Sequence, residues 1–355
     1  MLEKIKITVP KSTYDIIIKD CENFGFNKSE TTLNKNLFLN TLIVNYYDRF
    51  SANEEIFKDN LLKVINEKIN DDQDIILEKI LNVFRKNETL DSDKKTEIIN
   101  LKPTKLSEKQ IIFIENNLIN NTSISSFYRN LFTSYAHNPQ NFRELIIFKE
   151  NYDLLTESIE KNRKVSITLK NGQVINDSSV YKIENSKEEL FNYVLIANGK
   201  NKPLTLRLSR IKYVSLLNSK REISTELEEL FTKQINYGVE YPYNSSYEEQ
   251  VIVKFSNKGK ELFKKIYLYR PIPEKIEDNL YYFNCSHEQI IHYFRRFGYD
   301  AMIISPLSLA EVMKKFYYLS SRKYDENYSN QEETVTRDRN CFFSSIKPLI
   351  YKSFF

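Results

Sequence analysis

The spacing of apolar positions changes several times along this chain, and each change predicts a different element. Lys4–Pro10 alternates strictly, with Ile5, Ile7 and Val9 on one face and Lys4, Lys6 and Thr8 on the other, the mark of a strand buried on one side. Pro10 opens a helix that Ser12 or Thr13 is placed to cap; Tyr14, Ile17, Ile18 and Cys21 form its apolar face and Gly25 ends it. After a polar turn over Asn27–Thr31, a second helix carries Leu33, Leu37, Phe38, Leu42 and Tyr46. Residues 51–100 read as acidic helix, with one stripe of Ile56, Leu61, Val64 and Ile65 and another of Ile75, Ile76, Ile80 and Val83.

The opening pattern then returns in weaker form. A helix over Ser107–Asn117 is followed by Thr122-Ser123-Ile124 and a helix through Leu131. Ile16-Ile17-Ile18 aligns with Ile111-Ile112-Phe113 at an offset of 95, and Lys35-Asn36-Leu37-Phe38 with Arg129-Asn130-Leu131-Phe132 at 94, which suggests an internal repeat. Its strand falls around Glu97–Thr104, interrupted by Pro103. Asn141–Asn162 reads as one helix, with Leu145, Ile146, Phe148, Tyr152, Leu155 and Ile159 apolar.

From Lys161 to Leu217 the period drops to two. Four runs rich in β-branched and aromatic residues, Val165–Leu169, Val180–Ile183, Phe191–Ala197 and Leu204–Val214, are separated by Asn171-Gly172, Asn176-Asp177 and Asn198-Gly199. Asn-Gly between apolar runs is a hairpin signal because both central residues must accept φ > 0. A small, strongly bent antiparallel sheet, half open and barrel-like, is expected. Beyond it come a helix at Ser224–Lys233, a Tyr-, Asn- and Ser-rich linker over Asn236–Tyr247, and a region that alternates strand and helix. There, strands are expected at Gln250–Phe255, Leu280–Asn284 and Ala301–Ile304, with helices at Lys258–Tyr267, from Ser286 to Phe297, and after Ser305-Pro306. A polar tail over Asp325–Asn340 gives way to an aromatic run at Cys341–Phe355.

Charge sharpens this picture. The whole chain carries a formal +4, yet Lys161–Arg221 holds thirteen basic residues against Asp177, Glu184, Glu188 and Glu189, a local +9. Such an excess on a small sheet suits a phosphate-bearing partner. With 355 residues, 41% hydrophobic and 28% charged, the chain reads as soluble, globular and multidomain. Cys21, Cys285 and Cys341 are scattered and show no metal spacing, so a reducing cytoplasm is the expected setting. No export signal, membrane-spanning run or catalytic motif is visible; His287 and His292, five apart, do not converge on one helix face, and His137 stands alone. The chain therefore reads as a non-enzyme with no cofactor.

Phe191-Asn192-Tyr193-Val194-Leu195-Ile196, followed from Leu206 by LRLSRI, resembles the core of the WYL domain. Tyr193, Arg207, Leu208, Arg210 and Ile211 match; Asn192 stands for the tryptophan, Val194 for the leucine and Ser209 for an aspartate. The resemblance implies an SH3- or Sm-like sheet that binds anionic ligands, nucleic acid included, in a groove lined by Tyr193, Arg207 and Arg210; Lys164 and Lys182 are further candidate contacts. Strand alternation, which puts Arg207 and Arg210 on opposite faces unless a bulge intervenes, favours Arg207 as the phosphate ligand. The N-terminal strand and two helices resemble a ribbon-helix-helix fold, whose outward strand residues, here Lys4, Lys6 and Thr8, enter the DNA major groove. Such folds pair two strands, so a homodimer is expected unless the internal repeat supplies the partner. The C-terminal order suggests a ferredoxin-like domain. It also resembles the extension that accompanies WYL domains, with Arg296-Phe297-Gly298 preceding Ser305-Pro306-Leu307-Ser308-Leu309; Arg295 and Arg296 are candidate ligand contacts there.

The expected chain is therefore α+β and multidomain: a ribbon-helix-helix-like part (1–50), a helical region with a degenerate second copy (51–160), a WYL-like basic sheet (161–222), a linker (223–247), an α/β extension (248–324) and a tail (325–355). This combination resembles the WYL accessory proteins of type VI-D CRISPR systems, which implies binding of single-stranded RNA or DNA and partnership with an RNA-guided RNA nuclease. A ligand-sensing DNA-binding transcriptional regulator is the alternative, and a protein-interaction adaptor the second.

Overall fold

β1 (Ile5–Pro10) forms where strict alternation predicts it, with Ile7 and Val9 fully buried and Lys4 and Lys6 exposed. Its partner comes from the same chain. β4 (Thr96–Leu101) lies antiparallel to β1, Ile7 opposite Ile99 and Ile5 opposite Leu101, and stops before Pro103, which cannot donate to the ladder. The computed structural model describes residues 3–29, 31–66, 77, 80, 95–119, 123–243 and 249–325. The expected stripe at Ile75, Ile76 and Val83, the side chains of Val64 and Ile65, Thr122, and the tail beyond Asp325 lie outside the described residues.

Each strand of this ribbon is followed by two helices. After β1 come α1 (Lys11–Asn23) and, past a two-strand turn of β2 (Asn27–Ser29) and β3 (Thr32–Leu33), the 32-residue α2 (Lys35–Asn66). After β4 come α3 (Glu108–Asn117) and α4 (Ile124–His137). Phe38 and Phe132, matched by the sequence offset, are both fully buried. Ile17 is buried but its counterpart Ile112 is 43% exposed, because Ile111 and Ile114 form the inner face of α3. Three local expectations change. Neither Ser12 nor Thr13 caps α1, which starts directly after Pro10. Ile56 is 59% exposed on α2. The helix expected over Asn141–Asn162 breaks at Phe148 into α5 (Gln140–Ile147) and α6 (Lys149–Glu160), with the Phe148 ring buried against Phe24 and Phe26.

Five strands rather than four make the basic sheet: β5 (Arg163–Leu169), β6 (Val174–Asn185), β7 (Asn192–Ala197), β8 (Pro203–Arg207) and β9 (Ile211–Lys220), in the order β8-β7-β6-β5-β9. β8 and β9 are opposite edges, yet only the single 3₁₀ turn Leu208–Arg210 joins them. Four residue steps reach about 14 Å, whereas the edges of a flat five-stranded sheet would lie roughly 19 Å apart. The sheet must therefore curl, as the expected barrel-like shape requires. Bulges allow the curl. Asn176-Asp177, expected as a turn, lies inside β6, where Asp177 has φ +52° and the pairing with β5 slips by one residue. Gly172, at φ +86°, does turn the β5–β6 hairpin, while in the β7–β8 turn the left-handed residue is Asn201 rather than Gly199.

The chain divides into two compact units, Met1–Phe231 and Thr232–Phe355, the division falling inside the span expected as a linker, in α7 (Thr225–Tyr237). Within the first unit the ribbon, its helices and the basic sheet share one apolar cluster that runs from Ile7 through Phe38, Phe132 and Leu155 to Val214. The second unit has its own core and an antiparallel sheet of β10 (Val251–Phe255), β11 (Lys275–Glu277), β12 (Leu280–Phe283) and β13 (Ala301–Ser305) in the order β11-β12-β10-β13. α8 (Asn257–Lys265), α9 (His287–Phe294) and a helix over 307–325 complete it; β11, three exposed residues, carries no alternation that would predict it. Ser286 caps α9 as expected, its hydroxyl accepting from the Gln289 amide. Among the described residues no helix is long and apolar enough to cross a membrane.

Candidate nucleic-acid interface

Alternation along β7 decides which side chains leave the core. Val194 faces the interior with Leu206 opposite it, so Tyr193 and its direct cross-strand neighbour Arg207 share the other face. Two residues further, the 3₁₀ turn breaks the alternation and leaves Arg210 exposed. Arg207 and Arg210 are close enough for the Arg210 charge to act on the Arg207 guanidinium. Three of the expected groove residues therefore lie together.

Their roles differ. Arg207 is half-buried and stacked on the Phe191 ring; its Nε donates to Ser209 Oγ at 2.9 Å and its Nη2 to the Asn23 carbonyl, at the end of α1, at 2.9 Å. Burial is the main influence on its pKa and lowers it; the Glu144 carboxylate opposes that shift. Tyr193 donates its hydroxyl to Glu189. Beneath the cluster lies Glu144 of α5, fully buried, which accepts from the Asn192 amide at 2.6 Å, Asn192 Nδ2 at 2.9 Å and the Ser209 amide at 3.0 Å. Burial raises the Glu144 pKa against those three donors. One carboxylate thus fixes the start of β7 and the turn that presents Arg210. Sequence reading missed Glu144, Asn23 and Phe191 as parts of the site.

Of the remaining candidates Lys182 borders the cluster, because its partner Glu184 lies directly opposite Tyr193, and the others sit elsewhere. Lys164 donates to Glu222 at 3.2 Å in a groove of about 550 Å³ whose charges, Lys164 and Arg221 against Asp177 and Glu222, cancel. Lys182 pairs with Glu184 at 2.8 Å. On the ribbon, Lys4, Lys6 and Thr8 share the outward face; Lys6 lies opposite Asn100 and Thr8 opposite Ile98, which is 59% exposed. Arg129 of α4 donates to the Thr8 carbonyl at 2.6 Å and holds that strand to its helix. In the second unit, the His292 ring meets the Tyr241 hydroxyl at 3.0 Å and His287 the Glu249 carbonyl at 3.0 Å, while Arg295 and Arg296 are exposed; among the described residues no cluster suits a metal.

No protein-family model matches the sequence, and no curated protein matches it. Among solved structures the fold is similar to that of "a CRISPR Cas-related protein", with a TM-score of 0.68, 19% identity, and coverage of 92% of this chain and 95% of that one. At that identity the likeness is one of fold. Proteasome accessory factor B/C of Arthrobacter aurescens matches 64% of this chain and 39% of its own at 13% identity, and its TM-score of 0.25 carries no argument.

Proposed function

We propose that this chain is a nucleic-acid-binding accessory protein of a CRISPR-Cas system, which takes single-stranded RNA on its WYL-like sheet and modulates an RNA nuclease without catalysing a reaction itself. The observation that carries the reading is the Tyr193–Arg207–Arg210 cluster on a segment of net charge +9, with Glu144 buried beneath it and the half-buried acids beside it, Glu189 and Glu184, taken up by Tyr193 and Lys182. A ring beside guanidinium groups can stack a base while the cations meet its phosphates. The fold likeness to a CRISPR Cas-related protein supports the setting. In this reading Glu144 supplies, from another helix, the carboxylate that the WYL strand usually carries where Ser209 stands.

A second reading rests on the ribbon. The pairing of β1 with β4, each followed by two helices, fits a ribbon-helix-helix fold closed within one chain, with Lys4, Lys6 and Thr8 directed to a duplex major groove. That closure removes the strand's need for a second copy; a homodimer would form on another surface. The C-terminal strand order β11-β12-β10-β13 fits the ferredoxin-like reading.

Salt titration with single-stranded RNA, single-stranded DNA and an operator-length duplex separates these readings. Two arginine–phosphate contacts predict an affinity for single-stranded RNA that falls log-linearly with salt at a slope of about −1.4. Tight binding of the duplex alone would favour the operator reading. A flat salt response, or no binding to any of the three, would leave the adaptor reading.

A further inference from the structure

Lys170 follows β5 at the hairpin turn; the residue is exposed as a whole, and its ammonium reaches the seam between helices and sheet. Nζ lies 4.8 Å from the Phe148 ring centroid and 5.2 Å from that of Phe26, and it donates to the Phe24 carbonyl. Among the described residues no carboxylate comes within ion-pair distance, so two of its three donors have no protein acceptor. An ammonium withdrawn from water without a counter-ion is costly. Partial burial, against the pull of Glu144 and with help from Arg207, pushes the Lys170 amine down to about 8.

This cation stands on the wall of a cavity of about 490 Å³, within the size range of small-molecule pockets. Phe26 and Phe148 form an aromatic side, Tyr213 of β9, 61% exposed, stands at the mouth, and Lys212 lies 5.1 Å from the Tyr213 ring. Glu150 is the single acid in the lining, against Lys170 and Lys212. None of the lining residues belongs to the Tyr193–Arg207–Arg210 cluster. We propose that this seam binds a small anion bearing a planar aromatic ring, its charge at Lys170 and its ring against Phe26, Phe148 and Tyr213. Nucleotides and aromatic carboxylates share that chemistry.

Anilinonaphthalene sulfonate is a suitable probe: it is an anion with a planar naphthalene ring that fluoresces when buried, and the chain has no tryptophan to interfere. One molecule is expected to bind per folded chain. Lys170→Met keeps the stem between the rings but removes the charge, and should weaken binding roughly tenfold or more. Tyr213→Ala alters only the exposed mouth and should weaken it by a factor of about two to ten, so it carries the test if Lys170→Met does not melt cooperatively. Affinity should also fall as pH rises through about 8, where the amine loses its proton. The other charged groups around that amine are Glu144 of α5, Arg207 of β8, Glu150 of α6 and Lys212 of β9. Displacement by adenosine monophosphate would identify a nucleotide, and displacement by benzoate an aromatic acid; either supports the proposal. It is overturned if the probe does not bind, if both folded variants bind it as the parent does, or if inorganic phosphate displaces it as well as the aromatic anions do. Single-stranded RNA affinity, measured alongside, should be unchanged in Tyr213→Ala; a loss there with the dye unaffected would equally overturn it.

Discussion

Replacing Asp20 with alanine is expected to remove about 3–5 kcal/mol from the stability of the N-terminal unit, the largest effect of any single change considered for this chain. Asp20 is fully buried on α1 and binds Arg143 of α5 through two bonds, Nε to Oδ2 at 2.6 Å and Nη2 to Oδ1 at 3.0 Å; the Tyr135 hydroxyl of α4 adds a third at 2.8 Å. Arg143 also donates to the Asn138 carbonyl and lies 6.0 Å from the Tyr135 ring. One carboxylate therefore ties α1, from the β1 half of the ribbon, to α4 and α5, which follow β4. Truncating it leaves a guanidinium buried without its counter-ion, and that penalty far exceeds what a surface ion pair contributes. Urea unfolding followed by circular dichroism measures the loss. The paired change Asp20→Leu with Arg143→Met should recover most of it, because apolar groups of similar volume need no counter-charge. A cost below about 1 kcal/mol for the single change would mean that water reaches Arg143, and the network would then be no keystone of this unit.

The elements that periodicity can encode were legible. Strict alternation at Ile5–Val9 and the Asn171-Gly172 hairpin depend only on neighbours in sequence, and both stand where expected. Local signals failed where tertiary packing overrules them. Asn176-Asp177 has the composition of a turn, but a curled sheet needs a left-handed residue inside β6, and Asp177 supplies it as a bulge. Phe148 continues the apolar stripe of its helix, yet the helix breaks there. The break allows α5 to carry Glu144 under the turn of the sheet while Asn151 of α6 donates to the Ile211 carbonyl at 3.2 Å. Asp20 and Glu144 were invisible for a different reason. Each reads as the polar face of an amphipathic helix, and what buries it is a partner 48 to 123 residues away, which no periodicity reports. The candidate site was legible as residue types, Tyr193, Arg207 and Arg210. Alternation favours Arg207 for phosphate over Arg210, whereas it is Arg207 whose donors are engaged by Ser209 and Asn23, so the division of labour reads the other way.

That division gives the second large prediction. Arg207 spends Nε on Ser209 and Nη2 on the Asn23 carbonyl, so it joins the sheet to α1, whereas Arg210 is exposed and lies at the end of a turn fixed by Glu144. A lysine at 207 keeps the charge but presents a single point donor that cannot reach both acceptors. Arg207→Lys should therefore cost roughly 2–3 kcal/mol of stability, the loss of charge-assisted bonds from a half-buried group. Arg210→Ala should leave the melting temperature unchanged and weaken single-stranded RNA by about tenfold, with the salt slope shallower by about 0.7. Tyr193→Ala, if the ring stacks a base, should cost binding about 1–3 kcal/mol. Thermal melting and RNA titration on the same three proteins separate scaffold from contact. The opposite pattern, with Arg207→Lys folded at the parental temperature but unable to bind and Arg210→Ala binding normally, would make Arg207 the phosphate ligand. Its bond to Asn23 would then be one that the ligand replaces, and the groove would open toward α1.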